Sequence, residues 1–170
     1  GNKTDLGDLG KTEVTIPETD PDFFEITDDG TISIKDKLSY YTDDGVTGGI
    51  LPYKYIKIPS EINGIKVTHI ADYMFSGYSW GFKNIETIII PEGVTTIGAR
   101  AFCYCEGLKN IEIPFSVVSI GEEAFLNCFE LKTITIYNDE GTISGEPWGA
   151  GESTEKLYLG DIQFKEFATN

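Results

Sequence analysis

Apolar residues recur through the middle of the chain at a fixed interval. Ile90-Pro91-Glu92-Gly93-Val94-Thr95-Thr96-Ile97-Gly98 returns as Ile113-Pro114-Phe115-Ser116-Val117-Val118-Ser119-Ile120-Gly121, with Pro91 and Pro114 23 residues apart. The register then holds without a gap: Ala101-Phe102 answers to Ala124-Phe125, Cys105 to Cys128, Leu108 to Leu131, Ile111 to Ile134 and Ile113 to Ile136. A further 23 residues on, the apolar series reaches Ile143, Trp148, Leu157 and Leu159, although Gly121 is answered by Ser144. Upstream, Ile58-Pro59, Ile70, Phe75 and Ile85-x-x-Ile88-x-Ile90 repeat the series at a spacing of 32, which two insertions of five and four residues explain. Self-similarity of this length is the mark of a repeat architecture.

Each part of the unit has a physical task. Leu108-x-x-Ile111-x-Ile113 ends with the alternation of a short strand, Ile111 and Ile113 inward, Asn110 and Glu112 outward. The following proline has no N–H for a ladder and ends the strand. Val94-x-x-Ile97 supplies a second inward edge, Ala-Phe fills the middle, and Gly98 and Gly121 are expected at turns of positive φ. One unit of this size cannot bury its own apolar face, so neighbours stack at the strand spacing of about 4.8 Å. The prediction is a β-rich right-handed solenoid with parallel strands along one face.

The ends of such a stack must differ from its interior. Phe24 to Ile34 alternates around Asp29-Gly30 and reads as a hairpin. Thr42-Asp43-Asp44-Gly45 repeats that turn chemistry. The chain is thereby divided into a flexible tether (1–21), an N-terminal cap (22–56), a solenoid of about four coils (57–160) and a C-terminal cap or tail (161–170).

Composition narrows the partners. Thirteen Lys and Arg against 28 Asp and Glu give a net charge of −15, which repels nucleic acid and anionic lipid. No stretch is apolar enough for membrane insertion, and the first residues lack the pattern of a signal peptide, a blank that cleavage of such a signal would also leave. A single histidine argues against nucleophile–base pairs and most zinc sites. No enzyme, metal site or cofactor is expected. Residues 1 to 30 hold nine of the acids and two lysines, so −7 of the charge is local to the tether and cap and leaves the strand face nearly neutral.

The unit Ile-Pro-x-x-Val-x-x-Ile-Gly-x-x-Ala-Phe-x-x-Cys-x-x-Leu-x-x-Ile closely resembles the BspA-type leucine-rich repeat of bacterial cell-surface proteins. The likeness covers about residues 50 to 136 strongly and 137 to 160 weakly, and Ile58-Pro59-Ser60-Glu61-Ile62-Asn63-Gly64-Ile65-Lys66-Val67-Thr68-His69-Ile70 resembles a first unit with an Ile-Asn-Gly insertion. The resemblance implies a leucine-rich repeat solenoid, a secreted or surface-anchored location, and adhesion-type binding of a protein or glycan, host extracellular matrix included. It implies no catalytic residue.

Candidate binding residues follow from the repeat. The outward strand positions are Tyr55 and Lys57, Thr87 and Ile89, Asn110 and Glu112, Thr133 and Thr135, and Lys156 and Tyr158. They form either a ligand-binding ladder or a solvated sheet. The insertion Ser76-Gly77-Tyr78-Ser79-Trp80-Gly81-Phe82 places three aromatics on one loop, either as binding anchors or folded back over the first coil. Cys105 and Cys128 fall at equivalent places in adjacent coils, as free buried thiols or as a bridge. The acids from Asp20 to Asp29 lack a calcium-loop pattern and suit turns. His69, equivalent to Thr96 and Ser119, should point outward. The functional expectation is an extracellular interaction module; the alternative is a structural spacer within a larger surface protein.

Overall fold

The structure is a computed structural model that describes residues 19–35, 54–77 and 82–160. The strands in chain order are β1 (Phe24–Ile26), β2 (Thr31–Ile34), β3 (Tyr55–Lys57), β4 (Glu61–Ile62), β5 (Ile65–Lys66), β6 (His69–Ile70), β7 (Thr87–Ile89), β8 (Thr96–Ile97), β9 (Asn110–Ile113), β10 (Ser119–Ile120), β11 (Thr133–Ile136) and β12 (Glu155–Tyr158). They build a β-solenoid of about four turns with two lines of parallel strands. One line holds β3 with β7, then β9, β11 and β12. The other, made of the Val-x-x-Ile edge, runs β2, β6, β8, β10.

The expected hairpin closes the start of the second line. β1 pairs antiparallel with β2, Gly30 takes φ +84° at the turn, and β2 then lies parallel to β6. Asp29 holds this turn: its carboxylate accepts from Thr27 Oγ1 at 2.6 Å and the Thr31 N–H at 3.0 Å. These donors, the Thr27 hydroxyl first, pull its pKa down to about 2. Asp20 likewise accepts the Asp22 N–H at 2.9 Å and caps the 3-10 turn Pro21–Phe23. The five-residue insertion is a second hairpin, β4 with β5, turning through Asn63 (φ 51°) and Gly64 (φ 79°). The Asn-Gly pair is the usual signal for such a turn.

The interior is a set of columns, one residue per coil. Ile56, Ile88, Ile111 and Ile134 stand under one strand line, and Ile32, Ile70, Ile97, Ile120 and Ile143 under the other, all buried. Phe75, Phe102 and Phe125 stack with ring centroids 5.8 and 5.5 Å apart and ring planes nearly parallel, and Trp148 takes the corresponding place in the next coil, also buried. Phe82 extends the aromatic row edge-on to Phe75 at 5.5 Å and to Phe23 at 6.4 Å.

The cysteines belong to this core and are free thiols. Cys105 Sγ donates to the Phe75 carbonyl at 3.0 Å and Cys128 Sγ to the Phe102 carbonyl at 3.1 Å, so each satisfies a backbone oxygen of the coil before it. Burial raises the Cys105 pKa and pushes that of Cys128 up to about 12. In the unfolded chain the Cys128 thiol returns to 9.0. Above that pH the unfolded state therefore loses protons that the folded state keeps, and stability falls as pH rises toward the folded value. Melting temperature is thus expected to drop steadily above about pH 9. Alkylation should be slow at Cys105 and Cys128 in native protein yet reach all three thiols in denaturant without reductant; one labelled thiol would mean a bridge.

Two expectations need correction. Gly98 and Gly121 are not at positive φ. Their need for glycine is a close approach: a Cβ on Gly121 would lie 2.4 Å from the Ala99 nitrogen, and one on Gly98 2.5 Å from that of Asp72. The last coil is also shorter than the period. Phe125 to Ile134 spans nine residues and Trp148 to Lys156 eight, so β12 pairs Ile134 with Lys156 and Ile136 with Tyr158. A slip of one residue exchanges the two faces of a strand.

Candidate functional site

The candidate ladder forms on the first strand line, with its last rung changed. Tyr55 aligns with Thr87 and Lys57 with Ile89; Asn110 aligns with Thr133, and Glu112 with Thr135. Tyr55, Asn110 and Glu112 are exposed and the others half-buried. On β12 the outward residues are Glu155 and Leu157. Lys156 and Tyr158, expected outward, turn to the inner side. Lys156 lies 5.7 Å over the Trp148 ring and donates to Glu146 Oε1 at 2.6 Å; Tyr158 packs on the core and donates to the same oxygen at 2.7 Å. The apolar stems cover the coil while the polar heads share one carboxylate. Burial, then the bond to Glu146, raises the Tyr158 pKa, and the Lys156 and Tyr158 donors lower that of Glu146.

This slip changes the charge of the face. With Lys156 outward, the face would carry Lys57 and Lys156 against Glu112, a net +1. With Glu155 in its place, Lys57 faces Glu112 and Glu155, a net −1.

The aromatic loop divides. Tyr78 and Trp80 lie outside the described residues, as do most of the tether and the segment 161–170. Phe82 is a correction: it is 1% exposed in the core and offers nothing to a ligand. A large aromatic beside an enlarged coil fills it. His69 is half-buried, in register with Thr96 as its repeat position predicts, and also with Thr31 of the cap hairpin.

A feature absent from the repeat pattern lies inside the ladder. β7 and β9 are neighbours, yet no ladder of backbone bonds joins them. Between β9 and β11 the residue after the strand, Tyr137, donates its N–H to Ile113 O at 3.3 Å. The equivalent residue one coil earlier is Pro114, which has no N–H for Ile90. The opening is a cleft of about 550 Å³ with Thr87 and Ile89 on one side, Asn110 and Glu112 on the other, and Glu92 and Tyr137 at one end. Tyr137 donates to Glu112 Oε2 at 3.2 Å, and burial followed by the Glu112 and Glu92 charges holds its phenol above the ordinary range. The sequence gives no signal for it, because Ile58-Pro59 and Ile90-Pro91 end β3 and β7 in the same way and those strands pair. Exposed apolar side chains also occur off this face, Phe115 and Phe129 each at 70% exposure. Among the described residues no group of His, Cys, Asp and Glu could hold a metal ion, and no helix is long and apolar enough to cross a membrane.

Stacked coils with parallel strands and one aromatic column define the chain as a leucine-rich repeat solenoid. Residues 68–148 match the BspA type Leucine rich repeat region in six copies. A leucine-rich repeat protein from Bacteroides capillosus ATCC 29799 is similar in structure, at 28% identity and a TM-score of 0.56 over 79% of this chain and 91% of that one. A leucine-rich repeat protein of T. pallidum is 19% identical, with a TM-score of 0.47 over 86% of this chain and 66% of the other. A leucine-rich cell surface protein from Faecalibacterium prausnitzii A2-165 is 24% identical, with a TM-score of 0.48 over 79% of this chain and 40% of the other. A search of curated proteins returned no match.

Proposed function

We propose that the protein is a secreted or cell-surface interaction module that binds a protein or glycan across its strand face. The observation that carries this reading is the stacking of outward side chains in register, Asn110–Thr133–Glu155 and Glu112–Thr135–Leu157. Rows repeating at the strand spacing of about 4.8 Å present a regular array of side chains, and repeat proteins bind along such surfaces. The match of residues 68–148 to a repeat found in bacterial surface proteins supports the location.

The test is a panel of matrix proteins and glycans probed with wild type and Thr135→Arg. Thr135 is half-buried in the middle of its row, and its pairing with Glu112 and Leu157 is through backbone. The substitution should change stability by no more than about 0.5 kcal/mol, while a bulky charge in the contact lowers affinity at least about tenfold. A folded domain that binds nothing on the panel is a spacer instead. Surface location is checked by protease shaving of intact cells, where release of the domain is expected.

A further inference from the structure

We infer that the break between β7 and β9 is a receptor for a lysine or arginine side chain of a partner polypeptide laid across the strand face. This rests on the reading of that face as a binding surface and adds the chemistry of its central contact. Its ionisable lining is Glu92, Glu112 and Tyr137, with no basic residue among the lining groups, and its walls add Thr87, Ile89 and Asn110. Lysine and arginine combine an aliphatic stem with a cationic head, so the stem lies along Ile89 while the head reaches the carboxylates.

Charge and geometry act together here. The face around the cleft carries a net −1 once Glu155 replaces Lys156 outward, and the whole chain −15. Glu112 is held by the Tyr137 hydroxyl at 3.2 Å through one carboxylate oxygen, Oε2. That bond fixes the orientation of the carboxylate and leaves Oε1 for an incoming donor. The backbone leaves the cleft open: β7 pairs with β3 and β9 with β11, and no ladder draws β7 against β9. An extended partner crossing here meets threonine and asparagine groups for its own backbone and an acidic cleft for one side chain.

The probes are three capped tripeptides, acetyl-Gly-Arg-Gly-amide, acetyl-Gly-Lys-Gly-amide and the citrulline analogue of the first, titrated into isotope-labelled protein by NMR. Saturable shifts confined to the amides of Ile89, Asn110, Glu112 and Tyr137 are expected with the two cationic probes, weakening with added salt, and none with citrulline. Glu112→Gln, which keeps shape and removes charge, should weaken the arginine probe about fivefold. Shifts scattered over the acidic residues generally, equal response to citrulline, or an unchanged titration of Glu112→Gln would overturn the inference. The outcome for the face is separate. If Thr135→Arg abolishes capture on the protein and glycan panel while Glu112→Gln leaves it intact, the cleft assignment fails and the binding face stands; if both leave it intact, both readings fail.

Discussion

Replacing Phe102 by alanine is expected to lower the free energy of unfolding by about 3–5 kcal/mol, the range for deleting a fully buried aromatic. Phe102 has no exposed surface and is sandwiched between Phe75 and Phe125, at 5.8 and 5.5 Å between ring centroids. Truncation would open a cavity bounded above and below by rings whose own backbones are pinned: Phe75 N–H bonds Ala101 O at 2.7 Å, and Phe125 N–H bonds Trp148 O at 3.0 Å. The rings cannot close over the gap without parting those bonds, so relaxation is small and the cost falls toward the upper end. Phe115→Ala is the control: at 70% exposure it should change stability by less than about 0.5 kcal/mol. Urea denaturation followed by circular dichroism and by tryptophan fluorescence gives the comparison. In a stack where each coil touches only its neighbours, Phe102→Ala in a Trp80→Phe background, where fluorescence reports Trp148 alone, should also separate the two curves, since Trp148 lies on one side of the defect and the hairpin cap on the other. A loss below about 1 kcal/mol would mean that the column is not what holds the coils together.

Most of the fold could be read from the chain because its core is periodic. A position that is apolar in every unit has one explanation, burial between coils, and Ile111, Ile134, Phe102 and Phe125 all obey it. The hairpin around Asp29-Gly30 was legible for a local reason, since its turn chemistry lies within a few residues. What escaped depends on distances across coils. The shift on β12 comes from one missing residue in a stretch without apolar markers, and it exchanged Lys156 and Tyr158 for Glu155 and Leu157 on the candidate face. The cleft lies where β7 and β9 do not pair, and the side-chain pattern does not record it, since the same Ile-Pro end follows β3 and β7, which do pair. Phe82 was ambiguous because an aromatic in an insertion has no repeat partner to show which way it points.

Gly121→Ala is expected to cost at least about 3 kcal/mol, at or beyond the usual limit for an overpacked core. Its added Cβ would meet Ala99 N at 2.4 Å, Ala99 Cα at 2.6 Å and the Gly98 carbonyl carbon at 2.7 Å, all backbone of the preceding coil. Those atoms cannot swing aside as a side chain would. The approach is also fixed from the other direction, because the Gly121 N–H bonds Ile97 O at 2.8 Å, just as the Gly98 N–H bonds Ile70 O at 2.9 Å. Relief therefore requires the coils to separate, which breaks the second strand line where β8 meets β10. Gly64→Ala offers the contrast: φ is +79° there, but nothing lies within 4 Å of the new Cβ. Its cost is that of a left-handed backbone alone, about 1 kcal/mol. Asparagine separates the two causes. It tolerates the left-handed region, so Gly64→Asn should recover most of the loss seen with alanine. At Gly121 it adds bulk to an existing clash, and Gly121→Asn should be at least as damaging as Gly121→Ala. Equal behaviour of asparagine at the two sites in urea denaturation would return Gly121 to a turn role. The fourth coil already shows the constraint in nature's own substitution. Where Ser144 stands in place of the glycine, the tight contact passes to Gly145, whose Cβ would lie 2.2 Å from Ile120 O, so a residue without a side chain is kept where this coil presses on the one before it.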